Sequence, residues 1–218
     1  MISIIIPAYR ASKYIDECLS SIKEDCEILI GVDGCEETYA HIKHLENVYY
    51  FKKNVGPYVI KNTLIDCTKY ENILFFDSDD IMAPGTIEKV YEGLKTKDFV
   101  QLTYINFTNK PILKGLIQSN AVIGIKKTVF NNINGFYPWK CSADTEIDYR
   151  LKYNGFSNKI LSGVCYYRRI HQECLTIRKE TTHGSSIRRE YVQYINTHLH
   201  NNNWPMPKIK TIQDYVKN

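Results

Sequence analysis

Through the first hundred residues, short apolar runs without polar alternation take turns with segments whose apolar residues recur at helical spacing. Ser3 to Ile6 reads as a buried strand stopped by Pro7, and Ser12 is placed to cap a helix to about Lys23, with Tyr14, Ile15, Cys18, Leu19 and Ile22 along one face. Glu27 to Val32 is a second strand, closed by the turn dipeptide Asp33-Gly34. A weak helix to about Leu45 leads into a third strand, Asn47 to Phe51. Gly56-Pro57 opens a helix to about Thr68, because proline fits the first helical turn, where its missing N–H costs nothing. A fourth strand, Ile73 to Phe76, ends at Asp77, and Pro84 starts a helix to about Leu94. Strands buried on both faces lack alternation, so this βαβαβαβα order predicts an α/β fold with a mostly parallel central sheet and helices on both faces.

After Lys97 the pattern loosens. Phe99 to Phe107, Ala121 to Ile125 and Gly163 to Ile170 read as strands. Lys126 to Asn132, Asp144 to Tyr153 and Ser185 to Leu199 read as helices, the first two closed by Asn134-Gly135 and Asn154-Gly155. With 218 residues and no low-complexity linker, the expectation is one domain over 1–177 with a C-terminal helical extension, 178–218, packed on it.

Charge divides the chain. Residues 1–149 hold 16 Lys and Arg against 20 Asp and Glu, whereas 150–218 hold 12 against 4. The basic doublets Arg168-Arg169, Arg178-Lys179 and Arg188-Arg189 point either to a polyanionic partner (donor phosphates, anionic lipid or nucleic acid) or to a solvated basic surface. No apolar run approaches the ~20 residues of a membrane span, and the first residues do not form a signal peptide, so a cytoplasmic protein is expected. The seven cysteines are scattered without Cys-x-x-Cys spacing, the mark of reduced, packed thiols rather than of a zinc site.

The candidate chemistry begins where the fourth strand stops. Asp77-Ser78-Asp79-Asp80 crowds three carboxylates at the end of an apolar run. Like charges so placed call for a cation, and hard carboxylate oxygens suit Mg²⁺ or Mn²⁺ sharing a substrate diphosphate. The alternative is an acidic turn with Asp80 capping the next helix. Open α/β sheets place ligands at the C-terminal edge of their strands, where Asp33 also falls.

Several pieces, in order, resemble the family 2 glycosyltransferases, which have the GT-A fold: Ser3 to Tyr9; Cys18 to Ile22; Glu27 to Gly34; Asn54-Val55-Gly56 with Lys61-Asn62; Phe75 to Asp80 as the Asp-x-Asp motif; Gly135-Phe136 with Asp144 to Leu151; and Tyr167 to His171 with Leu175-Thr176. Together they cover about 2–177. Four positions depart from the family pattern: Val32 for Asp, Cys35 for Ser, Lys61 for Arg and Ala143 for Glu.

The resemblance implies an inverting, metal-dependent enzyme moving a sugar from a nucleotide-diphosphate donor, with 1–97 as the nucleotide-sugar half and 98–177 as the acceptor half. Asp79 would bind Mn²⁺ or Mg²⁺ with His171 approaching from the opposite side, and Asp77 and Ser78 would meet the donor. Asp33 would accept a hydrogen bond from the nucleobase, as uracil N3–H supplies, which points to a UDP-linked donor. Pro7, Ala8 and Tyr9 would form the adjoining wall. Lys61 is a candidate for the base or a phosphate, or else an exposed helix lysine; Asn62 is expected to tie loops together. Asp144 is the candidate general base, although a helix N-cap role fits the same position. Glu146 and Arg150 have the spacing of an intrahelical ion pair, and Asp148, one turn beyond Asp144, is read either as helping to shape the acceptor pocket or, by preference, as solvent-exposed. Arg168, Arg169 and Arg178 are equal candidates for phosphate contact, and Trp139 for stacking on a sugar face or filling the core.

A glycan is the expected acceptor. The Asn-, Ile- and Lys-rich, Ala-poor composition also fits an AT-rich coding source such as a phage, which keeps a hydroxymethylated base of phage DNA, modified in the host cytoplasm, as an alternative. A sugar-nucleotide pyrophosphorylase would want a glycine-rich phosphate loop where Pro7-Ala8-Tyr9-Arg10 stands. A nucleic-acid-binding module using the basic tail would leave the carboxylate cluster unexplained.

Overall fold

A computed structural model describes residues 1–108, 115–201, 203–208, 211 and 214–217. In chain order the strands are β1 (Ile2–Ala8), β2 (Glu27–Asp33), β3 (Val48–Phe51), β4 (Asn72–Phe75), β5 (Ile81–Met82), β6 (Phe99–Phe107), β7 (Ile117–Lys126), β8 (Asn158–Ile160), β9 (Tyr166–Arg169) and β10 (Tyr215–Lys217). The helices are α1 (Ile15–Ser21), α2 (Glu36–Ile42), α3 (Pro57–Leu64), α4 (Thr86–Thr96), α5 (Lys127–Asn132), α6 (Ala143–Tyr153) and α7 (Ser186–Asn201). The strands form one mixed sheet in the order β10-β3-β2-β1-β4-β7-β6-β9-β5, with β8 beside β6. β3, β2, β1 and β4 run parallel, and antiparallel β7 joins them to β6.

Alternate side chains of the parallel strands enter different cores. Ile5, Leu29, Phe51, Ile73 and Phe75 pack with Ile60 and Leu64 of α3 and Ile147 and Leu151 of α6. Ile4, Ile6, Leu74 and Phe76 pack with Cys18 of α1 and Val90 and Leu94 of α4. Both sheet faces are covered, which is why these strands carry no polar alternation.

Boundaries differ from expectation where local bonds decide them. β1 continues through Pro7 to Ala8: its pairing with β4 ends at Ile5, so Pro7 has a strand neighbour on one side only. Ser12 caps nothing; a turn over 11–14 precedes α1, and the Ser12 hydroxyl donates to Glu37 at 2.5 Å. α3 gives way at Ile65 to a 3₁₀ turn ending at Cys67. Asp80 is followed by β5 rather than by a helix, and α4 begins two residues beyond Pro84. α6 begins at Ala143, so its N-cap is Ser142, and Asp144 lies inside the first turn.

The C-terminal residues pack on this frame. Trp139 is half-buried and packs between aromatic rings: it stacks on Tyr191 of α7 at 4.4 Å with planes 2° apart, and lies 4.9 Å from the Tyr137 ring. Trp204 donates its indole N–H to Glu146 at 2.6 Å. The 178–218 segment is not wholly helical, since β10 adds an antiparallel edge to β3. All seven cysteines are free thiols.

Candidate active site

The C-terminal ends of β1, β2 and β4, the end of β9 and the start of α6 meet at one edge of the sheet, and each brings a residue singled out from the sequence. Asp79 follows β4 and His171 follows β9; His171 Nε2 lies 2.7 Å from Asp79 Oδ2. Tyr14 lies beside the imidazole, with ring centroids 4.7 Å apart and planes tilted by 44°. Cys174 adds a third donor atom, within 4.8 Å of the other two. Burial pushes its thiol up to about 11, so it is a protonated, soft group beside a hard oxygen and an imidazole nitrogen. Asp79 and His171 are the two of these three that could hold a hard divalent cation, an ion that keeps few protein ligands and takes substrate and water oxygens for the rest.

The other two carboxylates have different surroundings. Asp80 is 3% exposed, and its Oδ1 accepts the Arg169 backbone N–H at 2.9 Å, tying the acidic loop to β9. Burial, then Asp79 and Asp77, holds its carboxyl well above the ordinary range. Asp77 has 39% of its side chain open, and its Oδ1 lies 3.5 Å from Lys61 Nζ. Its pKa is raised, by desolvation first, with Lys61 opposing and Asp79 and Asp144 adding to the rise. Lys61 is not an exposed helix lysine. Only 2% of its side chain is accessible, and its ammonium sits among the rings of Tyr58, Phe75 and Phe136 at 5.7–5.8 Å. An ammonium so enclosed compensates Asp77 from below.

Asp33 is 3% exposed, and both its oxygens accept loop amides: Val55 N–H at 2.6 Å and Gly56 N–H at 3.0 Å. Burial raises its pKa and these two bonds oppose the rise. The next residue is glycine for a physical reason. Gly34 has φ +65°, and a Cβ there would stand 2.4 Å from the Asn54 nitrogen. Asp33 thus holds the 54–56 loop against β2. Pro7, Ala8 and Tyr9 lie beside it at the end of β1, Ala8 buried and Tyr9 half-buried. Ser78 is buried between Asp77 and Asp79.

Asp144 Oδ1 accepts the Tyr58 hydroxyl at 2.9 Å. Burial, then the Asp144 charge, keeps that phenol well above its usual pKa, so it remains a donor. Below Asp144 the helix is anchored by a fully buried pair, Arg150 and Glu146, at 2.6 Å and 2.9 Å. Arg150 also donates to the carbonyls of Ile133 and Gly135. Asn62 makes the loop tie expected of it, giving to the Phe136 carbonyl and accepting the Phe136 N–H, each at 2.9 Å. Asp148 is not solvent-exposed: it is 7% accessible, bonded by Gln101 at 2.9 Å and Lys152 at 2.7 Å.

Tyr58 was not singled out from the sequence, and Tyr14 was read only as part of the apolar face of the first helix. Tyr58 follows Pro57 at the start of α3, a position where any apolar residue satisfies the pattern. Only the fold brings it across to residue 144.

Open α/β sheets with a carboxylate loop at this edge are the architecture of GT-A enzymes, and the comparisons agree. The glycosyl transferase family 2 model matches residues 3–195, and the chain belongs to that family. It is 28% identical over 197 residues to the O-antigen biosynthesis glycosyltransferase WbnJ of Escherichia coli, covering 82% of this chain and 74% of that one. It is 36% identical over 108 residues to the poly(ribitol-phosphate) beta-glucosyltransferase of Bacillus spizizenii, 43% of this chain but 17% of that protein. Matches to an uncharacterized Haemophilus influenzae glycosyltransferase and to the Streptococcus pneumoniae glycosyltransferase GlyG span 34% and 36% of those proteins. In fold it is similar to Staphylococcus aureus TarS 1–349 in complex with UDP (TM-score 0.66, 19% identity, 94% of this chain and 67% of that one). It is also similar to the Pyrobaculum calidifontis mannosyltransferase PcManGT in complex with GDP-Man and Mn²⁺ (TM-score 0.68, 13% identity, 91% and 69%). The fold is GT-A, and the chain spans about a sixth to a third of the length of several curated relatives it matches. No helix of the described residues is long and apolar enough to cross a membrane.

Proposed function

We propose that this protein is a glycosyltransferase that inverts the anomeric centre, moving a sugar from a UDP-linked donor to a glycan hydroxyl in the cytoplasm. The observation that carries the reading is the convergence of Asp77, Asp79 and His171 at one sheet edge, with Asp144 close enough to raise the Asp77 pKa. In this reading residues 1–97 bind the donor and 98–177 the acceptor. Asp33, Pro7, Ala8 and Tyr9 receive the nucleoside, and Asp77 and Ser78 face the ribose or sugar. Asp79 and His171 hold Mn²⁺ or Mg²⁺, which when bound offsets charge on the leaving diphosphate. Asp144, oriented by Tyr58, takes the proton of the acceptor hydroxyl as that oxygen attacks the anomeric carbon. A single base suffices, because the nucleotide leaves without needing a second carboxyl group as acid.

Lys61 is assigned to balancing Asp77 rather than to the base, since its ammonium is enclosed and directed at that carboxylate. The UDP-bound TarS and the glycan-synthesis relatives support the donor and acceptor classes. A DNA acceptor is less favoured, because Arg168, Arg169 and Arg188 of the basic half bond to protein groups rather than forming a free cationic surface. Thermal-shift measurement of the chain against UDP-, GDP- and ADP-sugars, with and without Mn²⁺, tests the reading, since a ligand of the folded state raises the melting point. A UDP-sugar should stabilise the protein only with the metal; no shift from any nucleotide sugar would overturn the proposal.

A further inference from the structure

Three arginines were equal candidates for the donor's phosphates, and the structure separates them. Arg168 donates to Asn106 at 3.3 Å and to Thr176 at 2.8 Å. Arg169 donates through its side chain to the Asp79 carbonyl at 2.8 Å and to Glu17 at 2.5 Å, between the rings of Tyr14 and Phe107. Both are committed to building the acidic loop and its neighbours. Arg178 differs. Its NH2 lies 3.2 Å from Glu173 Oε2, and its Nε is buried with no acceptor. Its guanidinium stands 5.5 Å from the Tyr9 ring centre, at the wall assigned to the nucleotide.

Glu173 is the unusual partner. The same Oε2 lies 3.6 Å from Arg10 NH1, and Arg10 also lies against Tyr9, at 5.2 Å. One half-exposed carboxylate is therefore shared by two cations flanking Tyr9. Its backbone N–H meets His171 Nδ1 at 3.3 Å, which places this acid immediately beside the Asp79–His171 pair. An added anion beside three carboxylates is costly unless cations hold it there.

We propose that Arg178 is the phosphate-binding cation of the site, and that Glu173 holds the place of the donor's diphosphate until the donor displaces it. The inference rests on the nucleotide-diphosphate reading above. A phosphate offers more oxygens than a carboxylate, including an acceptor for the orphaned Nε, so exchange gives Arg178 a bond it lacks with Glu173. A half-exposed ion pair is worth ~1 kcal/mol at most, about fivefold in affinity, so Glu173 is readily displaced while measurably competing.

Titration calorimetry of the full chain with UDP and with uridine, in Mn²⁺, tests this. Glu173→Gln should tighten UDP about two- to fivefold and leave uridine unchanged. Arg178→Ala should weaken UDP about tenfold or more, again sparing uridine, and in that background the gain from Glu173→Gln should shrink, because coupled residues are not additive. UDP affinity that Glu173→Gln leaves unchanged or weakens would overturn the placeholder role. Equal changes for UDP and uridine would reduce both residues to loop structure and overturn it as well. If the wild type binds no nucleoside diphosphate, the donor reading itself fails and this inference falls with it.

Discussion

Arg150→Met breaks the anchor beneath Asp144, and its cost follows from the surroundings. Arg150 and Glu146 have no exposed side-chain surface, and removing one partner of such a pair typically costs ~3–5 kcal/mol, because the other charge stays buried. The Trp204 indole still donates to Glu146, which favours the lower end. The carbonyls of Ile133 and Gly135 also lose their donor, at about 1 kcal/mol or more each. A total near 5 kcal/mol is a large share of the ~5–15 kcal/mol a domain has, and corresponds to a melting point lower by roughly 10–20 °C. Urea denaturation reads it as a lower midpoint at unchanged slope. The double variant Glu146→Gln, Arg150→Met removes both charges and should recover at least ~2 kcal/mol of the loss. A single variant within ~1 kcal/mol of wild type, or a double variant no better than the single, would refute the reasoning.

Tyr58→Phe removes the hydroxyl bond to Asp144; steady-state kinetics should show kcat about tenfold lower with donor KM unchanged, the value of one hydrogen bond to a charged group. Asp80→Asn keeps an acceptor for the Arg169 N–H but removes a buried charge. Because the folded-state pKa of Asp80 is raised by burial and by Asp79 and Asp77, its ionisation destabilises the fold as pH rises through and above the ordinary carboxylate range. The variant should melt above metal-free wild type at pH 7.5, with the gap closing toward pH 4; a gap independent of pH would contradict this.

The parallel half of the sheet was legible in the sequence because its strands are buried on both faces, and apolar runs such as Ile73 to Phe76 report that directly. The short strands were not. β8 and β10 have three residues each, with exposed or half-exposed side chains, and their pairing comes from β6 and β3 rather than from any local pattern. β5 is hidden between Asp80 and Pro84, where the acidic turn and the proline read as a helix start. The i,i+4 spacing gave the Glu146–Arg150 pair correctly, but not its burial, which Trp204 from the C-terminal segment completes. Spacing also failed for Asp148, since Gln101, 47 positions earlier, supplies the bond that lets it be buried. Basic composition suggested a surface for polyanions, yet three of its arginines bind protein groups. Charge counts cannot distinguish a solvated guanidinium from one satisfied inside a fold.

The measurement that bears most directly on the central claim is release of UDP from a UDP-sugar by wild type and Asp79→Ala, each with Mn²⁺ and with chelator. The site predicts release by the wild type only with the metal, and none by Asp79→Ala under either condition. Wild-type activity undiminished by chelator, or an Asp79→Ala variant that still responds to Mn²⁺, would contradict the assignment of the ion to Asp79 and His171.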